Sequence, residues 1–210
     1  GYDDVHIDLC RLCAATGARF IQAEVMGLDR EARMVQLRGR PDIDYDVVSI
    51  NTGSTPQMRA QGAAEHAVPV KPITGFNQRW LQLLDKVAQT TRPLSIAIVG
   101  GGAGGVELCL AMQYRLRAEA EAAGRAAMAP QFSLFTSGGL LPTHNADVQA
   151  RFARVLSARG VQVHLQTPVA EVQAGRLRSA QDEWFEADEV LWVTQAGGGA
   201  WLEGTGLALT

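Results

Sequence analysis

The chain has 210 residues, 47% of them hydrophobic and 20% charged, enough to build a core of one or two domains. A formal net charge of −3 offers no basic field for nucleic acid or an anionic membrane surface. No apolar run approaches the ~20 residues that a membrane helix needs, and the N-terminus does not read as a signal peptide. Three cysteines, an odd number with two close together, make no disulfide framework and point to a reducing cytoplasm. The chain starts Gly-Tyr-Asp-Asp without a strand or cap, and Gly204 to Thr210 reads as the start of another element. A piece of a longer protein is therefore expected.

Val5 to Ala18 has the pattern of an amphipathic helix, with Ile7, Leu9, Cys10, Leu12 and Cys13 apolar and Gly17 near its stop. Cys10 and Cys13 have C-x-x-C spacing, which invites a redox reading. No His or Lys stands beside them to activate a thiol, so both are read as small core side chains. From Arg19 to Val48 apolar and polar residues alternate between turn signals at Gly27-Leu28-Asp29-Arg30 and Gly39-Arg40-Pro41-Asp42. This predicts an antiparallel meander and a final buried strand over Ile43 to Ile50. The tight loop Asn51-Thr52-Gly53-Ser54-Thr55-Pro56 follows, and residues 57–72 read as an irregular interdomain linker.

Gly75 to Gln89 is helical by pattern, with Phe76, Trp80, Leu83, Leu84 and Val87 on one face. Ser95 to Val99 is an apolar, β-branched run suited to a strand buried on both faces. Gly100, Gly102 and Gly105 then make G-x-G-x-x-G, and a long Ala-rich helix follows from Val106 to about Ala127. In such a loop the first glycine permits a sharp turn, the second lets a pyrophosphate approach, and the third lets helix pack close to strand. The strand–turn–helix setting favours a dinucleotide over an unliganded turn or a methyltransferase loop. Gln131 to Phe135 is predicted as the next strand, closed by Thr136-Ser137-Gly138-Gly139. An acid at this point bonds an adenosine ribose and an Arg favours a 2′-phosphate. Thr136 and Ser137 are neither, and the missing Arg tilts the expectation modestly to NADH.

Asn145 is a suitable N-cap for a helix carrying Val148, Phe152, Val155 and Leu156, stopped at Gly160. A strand over Val161 to Leu165, a hairpin around Gly175 and Trp184, and an apolar strand from Glu189 to Thr194 complete the pattern. His6, His66, His144 and His164 share no metal-like spacing, so no metal site is expected. No G-x-S-x-G or P-loop is present to start a hydrolase or kinase reading.

Three segments together resemble one family: I-V-G-G-G-A-G-G-V-E (98–107), Y-D-V-V-S-I-N-T-G-S-T-P (45–56) and D-E-V-L-W-V-T-Q-A (188–196). They are similar to the pyridine nucleotide-disulfide oxidoreductase superfamily, and Gly-Val-Glu before a long helix resembles its type II NADH dehydrogenase-like branch. H-I-D-L, V-K-P-I, L-L-P-T-H-N and W-L-E-G-T-G-L are similar to members associated with selenophosphate synthetase. The resemblance implies an α/β, Rossmann-like two-dinucleotide-binding flavoprotein fold. In it a complete NAD(P)H domain (71–196) is inserted in a partial FAD domain (1–70, with a return segment at 197–210). It implies FAD and NAD(P)H as cofactors and hydride transfer to FAD, with the small-molecule acceptor left open among a quinone, a selenium compound and oxygen. The expected location is the cytoplasm, peripheral to a membrane at most. Association or fusion with selenophosphate synthetase is the partner implied.

Carried residue by residue, the resemblance assigns Gly100, Gly101, Gly102, Ala103, Gly104 and Gly105 to the pyrophosphate loop and Thr136 and Ser137 to the ribose. Glu107 takes the family's position near the nicotinamide–flavin junction. Thr52, Gly53, Thr194 and Gln195 fall on the two crossover loops. Lys71, on the linker, is a candidate to face the cofactor cleft, set against the commoner solvated lysine. Asn51 stands where Ala is usual and Gln195 where Gly is usual, which puts flavin contacts from these loops in doubt. The family's FAD-binding glycine loop would precede residue 1, so the isolated chain is expected to be inactive. Cys109 is alone in the nicotinamide domain, which argues against a dithiol relay. The alternatives are a non-catalytic NAD(H)-binding or redox-sensing module, and a dithiol reductase using Cys10 and Cys13.

Overall fold

The computed structural model describes residues 7–194 and 196–209. The chain divides into two compact units, Gly53–Gly197 and a smaller one made of Gly1–Thr52 with Gly198–Thr210.

In the smaller unit, helix α1 (Leu9–Thr16) starts where the Asp8 carboxylate accepts the Arg11 N–H at 3.1 Å and stops at left-handed Gly17. Val5 and His6, predicted in this helix, lie outside the described residues. Strands β1 (Val25–Asp29), β2 (Met34–Leu37) and β3 (Ile43–Asp44) form the antiparallel meander, in the order β1-β2-β3. A 3₁₀ turn at Ala200–Thr205 packs on β1, and the Arg30 guanidinium donates to the Gly206 carbonyl at 2.6 Å. Of the strand predicted over Ile43 to Ile50 only Ile43–Asp44 forms, and Val47 is 89% exposed. A strand needs a ladder partner, and none among the described residues pairs with Val47 to Ile50.

The larger unit is built on a parallel sheet. Its elements in chain order are β4 (Thr55–Pro56), α2 (Ala63–His66), β5 (Val68–Pro69), α3 (Ile73–Gln89), β6 (Ser95–Val99), α4 (Ala103–Ala122), β7 (Gln131–Phe135), α5 (Ala146–Ala158), β8 (Gln162–His164), β9 (Val169–Gln173), β10 (Arg176–Ser179), β11 (Trp184–Glu186), β12 (Glu189–Trp192) and β13 (Ala196–Gly197). Five strands run parallel in the order β5-β12-β6-β7-β8. A second sheet, β11-β10-β9, is antiparallel, and β4 pairs with β13 where the chain enters and leaves the unit.

The pleat of β6 explains the three layers. Ile96 and Ile98 point into a core shared with α3, α4 and α5, where Leu83, Cys109, Leu116 and Leu156 lie. Ala97 and Val99 point the other way, into a core with Val172, Leu177 and Trp192 that the antiparallel sheet covers. The same alternation sends Leu134 to the helices and Phe135 to the second sheet. A strand covered on both faces must be apolar throughout, which is why 96–99 carries no polar residue. Each such aliphatic side chain contributes roughly 1.5–3 kcal/mol by leaving water.

Residues 57–72 are not a free linker. Gln61 exchanges backbone hydrogen bonds with Ala170 and Val172 at 3.0 and 2.8 Å, Ala63 is fully buried, and β5 closes the sheet edge beside β12. The composition is irregular because each contact is short, not because the segment is loose. At the start of β12, Arg92 grips Asp188 at 2.5 and 2.8 Å, and the Ser95 N–H donates to the same carboxylate at 2.8 Å. The Arg92 hydrogen bonds hold the Asp188 carboxyl below its ordinary range. Beside it the buried Glu189 carboxylate meets Arg79 at 3.2 Å and Lys86 at 2.9 Å, fastening α3 to the strand. Among the described residues, no helix is long and apolar enough to cross a membrane.

His164 stacks on Phe135 at 4.4 Å and meets the edge of Phe185 at 4.8 Å, and its buried Nε2 has no partner. Burial pushes its pKa down, against a smaller opposing pull from Glu183. The unfolded chain therefore takes up this proton first, and stability is lost as pH falls through the ordinary histidine value of about 6.5. Urea midpoints should drop from pH 7.5 to 5.5, and the drop should shrink in His164→Phe; an unchanged slope in that variant would exclude His164 as its source.

Candidate functional site

The turn from β6 into α4 is shaped by two close approaches. Gly100 adopts φ 135°, and a Cβ there would stand 2.5 Å from the Val193 carbonyl oxygen. A Cβ on Gly105, in the first turn of α4, would stand 1.9 Å from the Gly100 carbonyl oxygen. Strand and helix touch backbone to backbone, and neither position admits a side chain. Gly102 differs. Its φ −77° and ψ 179° are ordinary extended backbone, and nothing lies within 4 Å of where its Cβ would be. Packing gives no reason for glycine here, and the open space leaves room for a group to approach from outside.

What approaches is set by the helix end. α4 is 20 residues long, and Gly102 at its N-cap supplies no side-chain cap. The first amides of a helix have no partner inside it and carry its positive dipole end, a setting suited to a diphosphate. They open on a cleft of about 550 Å³ at the carboxyl ends of the parallel strands, where ligands of open α/β sheets sit. Its walls are Gly100–Gly102 and Thr136–Ser137, then Pro142 and Thr143, Thr167–Val169, and Trp192–Thr194. Among the described residues, no charged side chain lines it. The Thr194 Oγ1 atom at the cleft wall is buried and has no hydrogen-bond partner among the described residues.

The structure thus gathers Gly100, Gly101, Gly102, Thr136, Ser137 and Thr194 around one cleft, with Ala103, Gly104 and Gly105 in the helix turn behind it. Glu107 is exposed on the following part of α4 and does not line the cleft. Lys71 is exposed and donates from Nζ to Ser54 Oγ at 3.2 Å, outside the cleft wall. Thr52 and Gly53 flank the point where the chain passes from one unit to the other, and Gln195 lies outside the described residues. Sequence reasoning missed Pro142, Thr143, Thr167, Pro168 and Trp192. Their signal was positional, since most follow or end a parallel strand.

The cysteines need one correction. Cys10 is exposed and Cys13 partly so, because α1 buries none of its residues; they are not core thiols. Cys109 is fully buried, and burial pushes its thiol up to about 12, far from a nucleophile at neutral pH.

A doubly covered parallel sheet with a glycine-built turn, an open helix N-terminus and an uncharged cleft defines a dinucleotide-binding α/β protein. The model of the pyridine nucleotide-disulphide oxidoreductase family matches residues 12–207, and the chain belongs to that family. The FAD/NAD(P)H flavoprotein fold is the one the sequence segments resembled, and the family is one of oxidoreductases. Among solved structures the chain is similar to NDH2 from Plasmodium falciparum in complex with NADH (15% identity, TM-score 0.76, 90% of this chain and 43% of that one). It is similar to the sulfide:quinone oxidoreductase of the hyperthermophilic bacterium Aquifex aeolicus (16%, 0.77, 98% and 49%). A NAD-dependent persulfide reductase from A. fulgidus is a further neighbour (16%, 0.74, 97% and 36%). The chain therefore spans less than half the length of these structures. No curated protein matches the chain in sequence.

Gly105→Ala should destabilise the larger unit by several kcal/mol, since backbone must move to admit the methyl, whereas Gly102→Ala should leave the melting temperature within ~2 °C. A thiol reagent should label two cysteines in the native chain and all three only after denaturation; fast native labelling of Cys109 would contradict its burial.

Proposed function

We propose that the chain carries the NAD(P)H-binding unit of an FAD-dependent oxidoreductase, with NADH preferred. The observation that carries this reading is Gly102, a glycine in open space at a helix N-terminus that protein packing does not require. The amides of Gly102, Ala103 and Gly104 bind the diphosphate, and the Thr136 and Ser137 hydroxyls lie at the adenosine ribose. Thr194 Oγ1, buried and unpartnered, donates to or accepts from the nicotinamide half. NADH is favoured because a 2′-phosphate entering a cleft without Lys or Arg would lose water with no cation in return. NADPH should bind at least about tenfold more weakly, ~1.4 kcal/mol.

When bound, the nicotinamide and flavin cofactors supply the hydride chemistry. The chain's own part is to seat the nucleotide and keep its reactive end oriented. The residues on either side of Gly53–Gly197 belong to the flavin-binding part, and the sequence resemblance assigns Thr52 and Gly53 to a crossover loop that contacts flavin. Glu107, one turn along the helix that bears the loop, acts at the junction of the two cofactors. The electron acceptor is a small molecule, and the similarity to a sulfide:quinone oxidoreductase favours a quinone. The resemblance to selenophosphate-synthetase-associated proteins makes that enzyme the partner to test by co-purification.

Calorimetric titration of the chain with NADH and ADP-ribose should show binding that Gly102→Val abolishes; wild-type affinity in that variant would overturn the loop assignment. A longer protein containing this chain should hold FAD, and anaerobic NADH should bleach its flavin absorbance. In that protein Glu107→Gln should slow bleaching without changing NADH affinity. A protein that never retains flavin would leave only nucleotide binding.

A further inference from the structure

Leu141 has a left-handed backbone, φ 51°, although it is a leucine and only 2% exposed. Left-handed conformation in a residue with a bulky side chain carries a cost and persists only where its surroundings hold it. Three hydrogen bonds do so. The Leu141 N–H donates to the Gly101 carbonyl at 2.8 Å. The Leu141 carbonyl accepts the His144 N–H at 2.9 Å and the Gln149 side-chain amide at 3.1 Å. That same amide donates to the His144 carbonyl at 2.9 Å, so Gln149 on α5 ties the loop at two points.

From the other side, Thr136 presses on the glycine loop: a Cβ on Gly101 would stand 2.5 Å from the Thr136 Cβ. Thr136 is itself held at both ends, its N–H donating to the His164 carbonyl at 3.1 Å and its carbonyl accepting from the Thr167 N–H at 2.8 Å. In a trans peptide the carbonyl of one residue and the N–H of the next point in opposite directions. Fixing the Gly101 carbonyl on Leu141 therefore turns the Gly102 N–H away from the loop, and among the described residues it donates to no backbone carbonyl. A flipped peptide would present an oxygen instead, which repels an anion.

We infer that residues 136–144 form a clamp that presets the Gly101–Gly102 peptide for a diphosphate, with Leu141 as the positioning residue and Gln149 as its anchor. The inference rests on the nucleotide reading above. Gln149 does not line the cleft, so it affects binding only through the loop.

The test is Gln149→Met in the 210-residue chain, which keeps length and removes both donated bonds. NADH and ADP-ribose should each lose roughly three- to tenfold in affinity, the size expected from one or two net hydrogen bonds. Adenosine, which has no diphosphate, should bind as before, and the melting temperature should hold within ~3 °C. The Gly102 amide resonance should move on adding ADP-ribose to the wild type and move less in the variant. Leu141→Val, whose branched side chain disfavours the left-handed region, should give the same diphosphate-selective loss and serves if Gln149→Met does not fold. Unchanged ADP-ribose affinity in both variants overturns the clamp while leaving the nucleotide site standing. Equal weakening of adenosine and ADP-ribose with a lowered melting temperature also overturns it, as a purely structural role. Absence of any ADP-ribose binding by the wild type removes the nucleotide reading itself.

Discussion

The contact on which the larger unit depends is the one between Gly105 and the Gly100 carbonyl, where a methyl group would stand 1.9 Å from backbone oxygen. It brings the N-terminus of α4 directly onto the end of β6. Because β6 has neighbours on both sides, β12 and β7, that end lies in the middle of the sheet and not at its rim. Val193, Thr136 and the β6 turn then converge within a few ångströms. A longer side chain at this junction would lift the helix, and the cleft in front of it would lose its floor.

The glycines of this turn divide by cause. Gly100 and Gly105 answer to the protein's own backbone, and Gly101 to the side chain of Thr136. Gly102 answers to none of these. The space in front of it is open, beside the first amides of α4. Membership of the pyridine nucleotide-disulphide oxidoreductase family agrees with the ligand that the chemistry favours. Cys109 in this unit is fully buried, and burial pushes its thiol up to about 12, far from a nucleophile at neutral pH.

The clamp shows how an apparently generic turn is made specific. Loop 136–144 has no regular ladder of its own, yet it fixes one peptide orientation through Leu141 and transmits support from α5 through Gln149. The strain of a left-handed leucine is tolerated because its side chain is simultaneously part of the helix-side core. Core packing and loop geometry are thus coupled at a single residue.

Much of this was written into the chain locally. The doubly buried run 96–99, the glycine spacing at 100–105, the Asn145 cap and the apolar strand at 189–192 are short-range patterns, and each corresponds to an element of the fold. Such features are legible because they depend on backbone sterics and on whether a segment is covered on one face or two. Tertiary structure alone decided the rest. Residues 57–72 became a sheet edge and a buried turn only because β12 and β9 were there to receive them. Val47 to Ile50, equally apolar, found no ladder among the described residues and formed no strand, and Cys10 and Cys13 were left outside any core. The bonds of Leu141 to Gly101 and to Gln149 join residues far from obvious in sequence. Local pattern states what a segment is able to form; which partner covers it is settled by the whole chain, and the unpaired Thr194 hydroxyl and the open space at Gly102 appear only once that covering is complete.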